Sequence, residues 1–530
     1  MKTLIDGRCL TAVAPRTVGA FAQPSNSRLH QFGRAEDGAL IPFGLVLLML
    51  MLMLGGMAVD LMRYEEKRTT LQQTLDRSTL AAASMQQQLD PESVVRDYFD
   101  KAGMTQYLSG VTVTEGLSFR SVTADATADT QPFFMHLVGV DQFDASADST
   151  AEQRISNIEV SLVLDISGSM TGSRINNLRP AAREFIDTVL GSSDPGHATI
   201  SIVPYNSQVN IGEPMMSQFN VAPMHSNSYC IELPDSAFNS ISLSQTTPFV
   251  HNGHFDASQS GTSPSWFNCP PQAGNIVTPL GDDAEYLKGR INALQSGGYT
   301  SIDVGMKWGS LLLDPAAQPV VSGLIDRGVV APEFSDRPQG STGDAVLKVV
   351  VLMTDGDNTN EWKLNPPYDT GLSPIYKRNS SSSRVSVYSD RSGSNDYFWS
   401  YDREWHSSPD GDTSGSTQLT WQQVWANYSV NYIASSLYSR AFSGSSSYWK
   451  SIFVTTISSV KDSRLQQVCT AAKNAGILVF TIAFEAPSNG QTQLRNCATS
   501  PSNYFNASGL QITTAFRAIA SQLSHLRLTQ

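Results

Sequence analysis

The longest uninterrupted apolar segment of the chain runs from Ala39 to Val59 and contains no charged residue. At a rise of about 1.5 Å per residue this segment spans roughly 30 Å, the thickness of the hydrocarbon core of a bilayer. A secretory signal would be shorter and nearer the start of the chain, and a soluble helix of this length would keep a polar face. The pattern therefore predicts one transmembrane helix.

Helix-forming residues continue beyond this span, because no proline occurs between Pro42 and Pro91 and leucines recur at near-helical spacing. We expect a single helix of roughly fifty residues that ends at Asp90-Pro91. The stretch VTVTEGLSFRSVTADATAD, which follows, alternates apolar and polar residues as a half-buried antiparallel strand pair does. It predicts a small β-rich module.

Short hydrophobic runs separated by helical segments dominate the rest of the chain. The runs EVSLVLD, ATISIVPYN, LKVVVLMTD and ILVFTIAF are nearly continuous in apolar residues, as strands of a parallel sheet covered on both faces are. They predict a doubly wound α/β domain with a mostly parallel sheet. Two insertions, at about 209–281 and 360–451, are long enough to be either functional excursions or disordered segments.

These patterns divide the chain into five parts. They are a cytoplasmic leader at 1–38, a transmembrane helix at 39–59, a helical stalk at 60–90, a β-rich module at 91–155 and the α/β domain at 156–530. The formal net charge of −12 and the lack of a basic stripe argue against a nucleic-acid partner, since phosphate binding needs clustered Lys and Arg.

The cysteines indicate the compartment of the large C-terminal region. Cys9 precedes the span, and an even number follow it, which suits two disulfides in an oxidising compartment such as the periplasm. The four that follow are Cys230, Cys269, Cys469 and Cys497. Four cysteines allow three pairings, of which the neighbouring pairs are the simplest. An alternative is a zinc site built from Cys230, His251, His254 and Cys269.

Three separated segments end or follow predicted strands and carry short oxygen-bearing side chains. VLDISGSM, GGYTSIDVGM and VVVLMTDGDN supply Asp165, Ser167, Ser169, Thr300 and Asp355. Loops at the carboxyl edge of a parallel sheet are where such folds bind ligands, and hard divalent cations prefer oxygen ligands. The set predicts a site for Mg²⁺, with Mn²⁺ or Ca²⁺ as alternatives. The competing interpretation is that the serines and the threonine only cap helices or turns.

Nearby acidic residues are assigned other roles. Asp357 and Glu361 follow Asp355 closely and are expected to be solvated loop charges, whereas Asp303 fits the first turn of a helix. Five aromatic residues of the second insertion are expected to form either a contact surface or a small local core. They are Tyr397, Phe398, Trp399, Tyr401 and Trp405.

The three oxygen-rich segments together resemble the metal-ion-dependent adhesion site of von Willebrand factor A and integrin inserted domains. The resemblance runs from about Asn157 to the C-terminus. It implies that Ser167, Ser169 and Thr300 are direct or near-direct ligands and that the aspartates act largely through water. It also implies that the ion remains open to an added carboxylate from a protein partner.

The N-terminal segment EDGALIPFGLVLLMLMLMLGGMAVDLMRYEEKRTTLQQTLDRSTLAAA resembles TadE/TadG-like proteins of tight-adherence (Flp) pilus systems, as does the C-terminal stretch VCTAAKNAGILVFTIAFEAP. This resemblance implies a pilus-assembly component with a single-pass anchor in the bacterial inner membrane. Prepilin-type processing would want Glu where Phe43 stands, so we expect the Gly38–Ala39 bond to stay intact.

The resulting expectation is a non-enzymatic binding and scaffold protein whose partners are pilin or assembly components with an exposed acidic residue. Two alternatives remain open. One is a structural pseudopilin-like subunit in which the metal site is incidental. The other is a metal-dependent hydrolase, which would need a general base or nucleophile beside the ion, and no His occurs in the three motif segments.

Overall fold

The computed structural model describes residues 40–84, 87–115, 119–154, 157–193, 195–340, 346–381 and 383–524. The leader, Cys9 and the Gly38–Ala39 bond lie outside these residues. The described chain forms two compact units. Of the described residues, one unit comprises those at 40–78, 95–111 and 124–149, and the other comprises those at 79–94, 112–123 and 150–524.

The chain before residue 157 contains a long helix and a small sheet. The elements are α1 (Leu40–Ala83), α2 (Pro91–Lys101), β1 (Leu108–Glu115), β2 (Phe119–Thr130) and β3 (Phe143–Arg154), and the three strands lie in the order β1-β2-β3. Helix α1 is long and apolar enough to cross a membrane. It is shorter than the expected helix of fifty residues.

Asp90-Pro91 marks the start of a helix rather than the end of one. The Asp90 carboxylate accepts a hydrogen bond from the Ser93 N–H at 2.9 Å, and Pro91 is the first residue of α2. Asp is favoured as an N-cap because its carboxylate accepts a hydrogen bond from a free N–H group of the first turn. Pro is favoured in the first turn because it has no N–H group that would need an acceptor. The predicted stop at this position is therefore wrong, and α1 already ends at Ala83.

The part of α1 that follows the apolar run packs against the small sheet. Lys67 Nζ donates to the Asp129 carbonyl at 3.0 Å, and Gln72 Nε2 donates to the Asp148 carbonyl at 2.9 Å. The rings of Tyr64 and Phe143 lie 5.6 Å apart. This part of the helix is thus a component of a packed unit.

The remaining strands form a central six-stranded sheet and smaller sheets. The strands are β4 (Asn157–Asp165), β5 (Ala198–Tyr205), β6 (Val221–Ala222), β7 (Ile231–Glu232), β8 (Phe249–His251), β9 (Thr278–Gly281), β10 (Val346–Thr354), β11 (Glu361–Leu364), β12 (Leu372–Arg378), β13 (Val385–Tyr388), β14 (Tyr397–Trp399), β15 (Trp405–His406), β16 (Ser416–Thr420), β17 (Val454–Ile457), β18 (Leu478–Phe484) and β19 (Tyr504–Ala507). The central sheet has the order β19-β18-β10-β4-β5-β9.

The helices of this part cover the central sheet and fill the second insertion. They are α3 (Ser173–Gly191), α4 (Gly212–Met216), α5 (Ala284–Asn292), α6 (Ile302–Leu311), α7 (Gln318–Asp326), α8 (Asp412–Gly415), α9 (Trp421–Asn427), α10 (Val430–Tyr432), α11 (Ser439–Ala441), α12 (Ser446–Phe453), α13 (Lys461–Asn474), α14 (Ser488–Cys497) and α15 (Gln511–Ser524). A π-helical turn, Ile433–Tyr438, joins α10 to α11.

Every pairing in the central sheet is parallel except that of β5 with the edge strand β9. Alternate side chains enter two cores, so that Val163 packs on the α6 and α13 side while Leu162 packs on the α3 and α15 side. Both faces are covered, which explains the continuous hydrophobic runs of β4 and β10. The predicted α/β class with a mostly parallel sheet is confirmed.

The sheet has a topological switch point between β4 and β10. The chain leaves β4 toward β5 on one side and later enters β10 on the other. The connections diverge there and leave a crevice outside the carboxyl ends of the two strands, which is where open α/β sheets bind ligands.

Both insertion regions contain ordered structure. The first holds a three-stranded sheet in the order β6-β8-β7 and the disulfide Cys230–Cys269. The second holds a five-stranded sheet in the order β15-β14-β13-β12-β16. A third hydrophobic core, which includes Phe255, Trp362 and Trp425, joins residues of both regions.

The packing of α6 on β4 gives a first prediction. A Cβ added at Gly309 in α6 would overlap Cγ2 of Val163 and lie 3.2 Å from Ser161 Oγ, whereas one added at Gly289 in α5 meets nothing within 4 Å. Gly309→Ala should lower the melting temperature through overpacking that costs about 1–3 kcal/mol. Gly289→Ala should leave it unchanged or raise it, because alanine is the better helix former by about 1 kcal/mol. Thermal unfolding of both variants measures this, and equal effects would contradict the packing.

Candidate metal site at the sheet switch point

The structure brings the five predicted oxygen-bearing residues to the switch point. Asp165 is the last residue of β4, and Ser167 and Ser169 follow it in a tight turn. Asp355 follows β10 directly, and Thr300 lies two residues before α6. All of these are buried except Ser169, which is exposed. The five therefore share the edge of the sheet where the crevice opens.

Asp165 joins the two central strands. One of its carboxylate oxygens accepts the Ser167 N–H at 2.7 Å, and the other accepts the Thr354 hydroxyl at 2.6 Å. Burial, and after it the negative charge of Asp355, raise the pKa of Asp165 to about 7. The carboxylate is thus fixed in position while its charge is poorly compensated.

The two serine hydroxyls form a chain that ends on Asp355. Ser169 Oγ lies 2.7 Å from Asp355 Oδ1 and 3.0 Å from Ser167 Oγ. An ionised carboxylate only accepts hydrogen bonds, so Ser169 donates its proton to Asp355 and Ser167 donates to Ser169. The direction of both hydroxyls is therefore set by Asp355.

An arginine that the sequence analysis did not single out completes the pairing of Asp355. Arg174 Nη1 donates to Asp355 Oδ2 at 2.6 Å, and Arg174 Nε donates to Glu485 Oε2 at 2.8 Å. Glu485 follows β18, so it stands at the same carboxyl edge of the sheet, and its other oxygen accepts the Gly509 N–H at 2.9 Å. The rule that located Asp165 and Asp355 could have found Glu485.

The backbone groups of Thr300 are held by hydrogen bonds to Thr359 and Lys461. Its N–H donates to Thr359 Oγ1 at 2.7 Å, and its carbonyl accepts the Thr359 N–H at 2.9 Å and Lys461 Nζ at 2.9 Å. Its side chain faces a small space beside Gly356. A Cβ at Gly356 would lie 3.8 Å from Thr300 Oγ1 and 4.0 Å from Ser169 Oγ, so the two hydroxyls line one cradle.

Buried charges form a layer beneath this site. Lys461 Nζ also donates to the Thr359 carbonyl at 2.8 Å, and burial lowers the pKa of Lys461. Arg464 Nη1 lies 3.6 Å from Asp303 and 3.4 Å from Glu361. Burial raises the pKa of Asp303 to about 6, although Lys461 opposes that shift. Arg464 also donates to Asp235, a more exposed carboxylate, through Nε at 2.7 Å. Lys461 and Arg464 thus face buried Asp303 and Glu361 from one side of the layer, and Asp235 pairs with Arg464 from the surface.

This layer corrects one expectation. Asp303 lies in the first turn of α6 as predicted, but Glu361 is not a solvated loop charge. Glu361 is 1% exposed in β11 and accepts the Gln208 side-chain amide at 2.7 Å. Its buried charge is compensated because Arg464 lies 3.4 Å away.

The alternative zinc site is wrong. Cys230 and Cys269 form a disulfide, and Cys469 and Cys497 form the other, which are the neighbouring pairs that the sequence favoured. His251 uses both ring nitrogens on backbone groups, those of Met224 and Ser228. Burial lowers the pKa of His254 to about 4. Among the residues that the structure describes, no three His, Cys, Asp or Glu side chains are grouped to hold a metal ion.

The first insertion reaches the serine turn. A Cβ at Gly168 would lie 2.8 Å from the ring of Trp266, which packs edge-on against Tyr299 at 6.1 Å between ring centroids. The buried carboxylate of Asp256 accepts the Trp266 N–H at 2.9 Å and so helps to hold this loop. Trp266 is an aromatic side chain beside the site, and sequence reasoning missed it.

The five aromatic residues singled out in the second insertion mostly pack locally. Phe398 is buried in the third core, and Trp405 lies 5.6 Å from it between ring centroids. Trp399 stacks on His406 at 3.7 Å, and Tyr397 packs on two other tyrosines. Tyr401 alone among the five remains well exposed, at 69%. The local-core interpretation therefore describes this set better than a contact surface.

Residues 38–85 match a protein-family model described as putative Flp pilus-assembly TadE/G-like. The N-terminal part of the chain is therefore similar to TadE/G-like proteins over this segment, which contains the helix α1. No curated protein matches the chain.

Three solved structures are similar to this chain at low identity. They are the pilus adhesin SpaC from Lactobacillus rhamnosus GG (11% identity, 78% of this chain and 34% of that chain, TM-score 0.31), the vWF domain of the type V pili tip protein Mfa5 from Porphyromonas gingivalis (14%, 71% and 99%, 0.30), and proximal thread matrix protein 1 from the mussel byssus with a zinc-occupied MIDAS motif (12%, 70% and 48%, 0.27). The chain spans 34% of SpaC. These TM-scores are too low to carry an argument about the fold, so the α/β class is assigned from the strand order described above.

The buried charge layer gives a second prediction. Lys461→Met should destabilise the domain by about 3 kcal/mol or more, because it removes one of the two cations that face buried Asp303 and Glu361 and a donor to the Thr300 carbonyl. Lys473→Met, in the same helix, should cost far less. Lys473 is half-exposed and donates only to the carbonyls of Asn496 and Ala498. Chemical denaturation of both variants tests this, and similar losses of stability would show that the buried lysine has no special role.

Proposed function

We propose that the chain is a membrane-anchored binding and scaffold protein of tight-adherence (Flp) pilus assembly that uses a divalent cation, with Mg²⁺ as the first candidate, to bind an acidic residue of a protein partner. The observation that supports it is the convergence of Asp165, Ser167, Ser169, Thr300 and Asp355 at the switch point. Pilin or pilus-assembly components are the proposed partners.

The residues fit a hard divalent cation. All five offer oxygen atoms, and the cradle beside Gly356 is lined by the hydroxyls of Thr300 and Ser169. Asp165 and Asp355 would contribute negative charge from the ends of two strands that are fixed in the sheet centre. When bound, such a cation supplies a Lewis-acidic coordination position that accepts a carboxylate oxygen. Exposed Ser169 marks the side from which a partner can approach.

Binding is favoured over hydrolysis by the state of the nearby carboxylates. Both oxygens of Asp165 already accept hydrogen bonds, and Glu485 is paired with Arg174. A general base needs a carboxylate that is free to take a proton from water or substrate. We therefore propose a non-enzymatic role.

The proposed location is the bacterial inner membrane, with one span and the C-terminal region in the periplasm. The apolar part of α1 supplies the span, and the two disulfides need an oxidising compartment. The proposed division into leader, span, stalk, β-rich module and α/β domain follows the sequence analysis.

A second candidate is a structural pseudopilin-like subunit. The observation in its favour is that the TadE/G-like match is confined to residues 38–85 and leaves the α/β domain aside. A chain truncated after Asn157 should still assemble with other pilus components if the structural role is correct. It should lose partner binding if the metal-dependent binding role is correct.

The metal site gives a third prediction. The full chain in lipid nanodiscs should bind Mg²⁺ or Mn²⁺ at one site in calorimetry, and the double variant Asp165→Ala, Ser167→Ala should lose this binding. A matched control is Thr171→Ala with Ser296→Ala, which removes an exposed hydroxyl pair 2.9 Å apart near the same turn. Absence of binding in both the parent and the variant would reject the metal-dependent role.

A fourth prediction concerns Arg174, whose guanidinium neutralises Asp355 when no ion is bound. Arg174→Ala should strengthen Mn²⁺ binding by about tenfold, because it removes both the competing ion pair and a nearby positive charge. Arg179→Ala is the control, since Arg179 lies in the same helix and donates to the Leu294 carbonyl instead. Weaker binding in Arg174→Ala would show that the arginine positions Asp355 for the ion rather than competing with it.

A further inference from the structure

The loop between β2 and β3, residues 131–142, exposes an unusual number of large apolar side chains. Phe133 is 69% exposed, Phe134 41%, Leu137 76% and Val138 49%. Four such side chains in one short loop form a patch that water solvates poorly. Such a patch is unusual on a surface that contacts only water, so we expect it to be covered by a partner.

Asp60 fastens this loop to the end of the apolar run of α1. Asp60 is the first charged residue after the uncharged segment and is 2% exposed. One of its oxygens accepts the Phe133 N–H at 2.9 Å, and the other accepts the N–H groups of Phe134 at 2.7 Å and Met135 at 2.9 Å. Three charge-assisted hydrogen bonds to successive N–H groups hold the loop in one position on the helix.

Phe134 reaches further along the helix, into the apolar run itself. A Cβ added at Gly56 would overlap the ring of Phe134 and lie 2.8 Å from its Cβ, so Phe134 lies against the helix backbone at Gly56. Gly56 precedes Asp60 by four residues, which corresponds to about 6 Å along the helix axis. Phe134 thus lies beside the last turn of the apolar run.

The side chains around the patch fit a membrane surface. The Arg63 guanidinium lies 4.3 Å from the centroid of the Phe133 ring, and His136 and Asp141 stand exposed at the loop's edge. Arginine and aromatic side chains at the end of a span are suited to the headgroup region, where one end of the side chain is apolar and the other polar.

We propose that residues 131–142 form an interfacial loop that inserts Phe133, Phe134, Leu137 and Val138 into the lipid surface around α1. The partner is the bilayer that holds the helix, because Phe134 packs against the last turn of the apolar run at Gly56. This proposal rests on the proposed membrane anchoring. It gives the small unit two membrane contacts, a helix and a loop, which together restrict its tilt.

The test uses the full chain with Cys9→Ser and both disulfides intact, reconstituted into phosphatidylethanolamine and phosphatidylglycerol vesicles. A nitrobenzoxadiazole label is placed at Leu137→Cys or, as a control, at Asp125→Cys. Asp125 is exposed on β2. It lies four residues, and therefore about 13 Å along the strand, from Asp129, whose carbonyl accepts a hydrogen bond from Lys67 of α1. Lipids with a doxyl quencher near the headgroup report contact with the bilayer, and aqueous iodide reports contact with water.

We expect doxyl lipid to quench the Leu137 label several-fold more than the Asp125 label, and iodide to show the reverse order. Equal iodide quenching of both labels, with little doxyl quenching, would overturn the interfacial loop while leaving the anchor intact. A Leu137 label protected from both quenchers would also overturn it and indicate a protein cover. Failure of the chain to float with the vesicles would overturn the anchor and the loop together.

Two further variants test the role of Asp60 in the labelled chain. Asp60→Ala removes the acceptor of three loop N–H groups, so doxyl quenching at Leu137 should fall by at least half while flotation is retained. Glu65→Ala is the control, because Glu65 lies on the same helix and pairs only weakly with Arg68 at 3.7 Å. Unchanged quenching in Asp60→Ala would show that this residue does not position the loop.

Discussion

The site depends on one electrostatic constraint, which is that two carboxylates of like charge stand at the ends of adjacent central strands. Asp165 ends β4 and Asp355 follows β10, and both are buried. Buried carboxylates remain ionised only where donors or cations compensate them. The Thr354 hydroxyl, the serine chain and the Arg174 guanidinium all serve this purpose. The parallel sheet creates the problem, because its carboxyl ends meet at one edge.

The layer of buried charges beneath the site is also governed by charge compensation. Lys461 donates to the backbone of Thr300 and Thr359, and its charge is balanced by Asp303 and Glu361 with Arg464 beside them. Removing water from four charges is costly, so the net contribution of such a layer to stability is small. Here it fixes the threonine that lines the cradle. The position of Thr300 therefore depends on residues distant in the sequence.

Much of the fold and the site could be predicted because the signals were local. Continuous hydrophobic runs identified the parallel strands, and oxygen-bearing residues at strand ends identified Asp165 and Asp355. Arg174, Glu361 and Trp266 were missed or misassigned because the contacts that give them their roles, with Asp355, Arg464 and Gly168 respectively, come from chain segments more than 90 residues away. No local pattern records such partners. The end of α1 was misplaced because Asp90-Pro91 is compatible with a helix stop and a helix start, and only the Ser93 N–H contact decides between them.

The contacts of Arg174 explain how, under the proposed function, a metal ion could replace the Arg174 guanidinium at Asp355 without disturbing the sheet. Its Nε is held by Glu485, which is itself anchored to the Gly509 N–H, while its Nη1 reaches Asp355. If Nη1 releases Asp355, the guanidinium keeps its second carboxylate, and its side chain is 29% exposed so that water can replace the lost contact. The free energy of releasing Asp355 is therefore small compared with that of an unpaired buried arginine. The strands, Thr354 and the serine turn need not move. Under the proposed function, ion binding is then a local change of partner at Asp355, and the carboxylate of a protein partner meets a site whose framework is already in place.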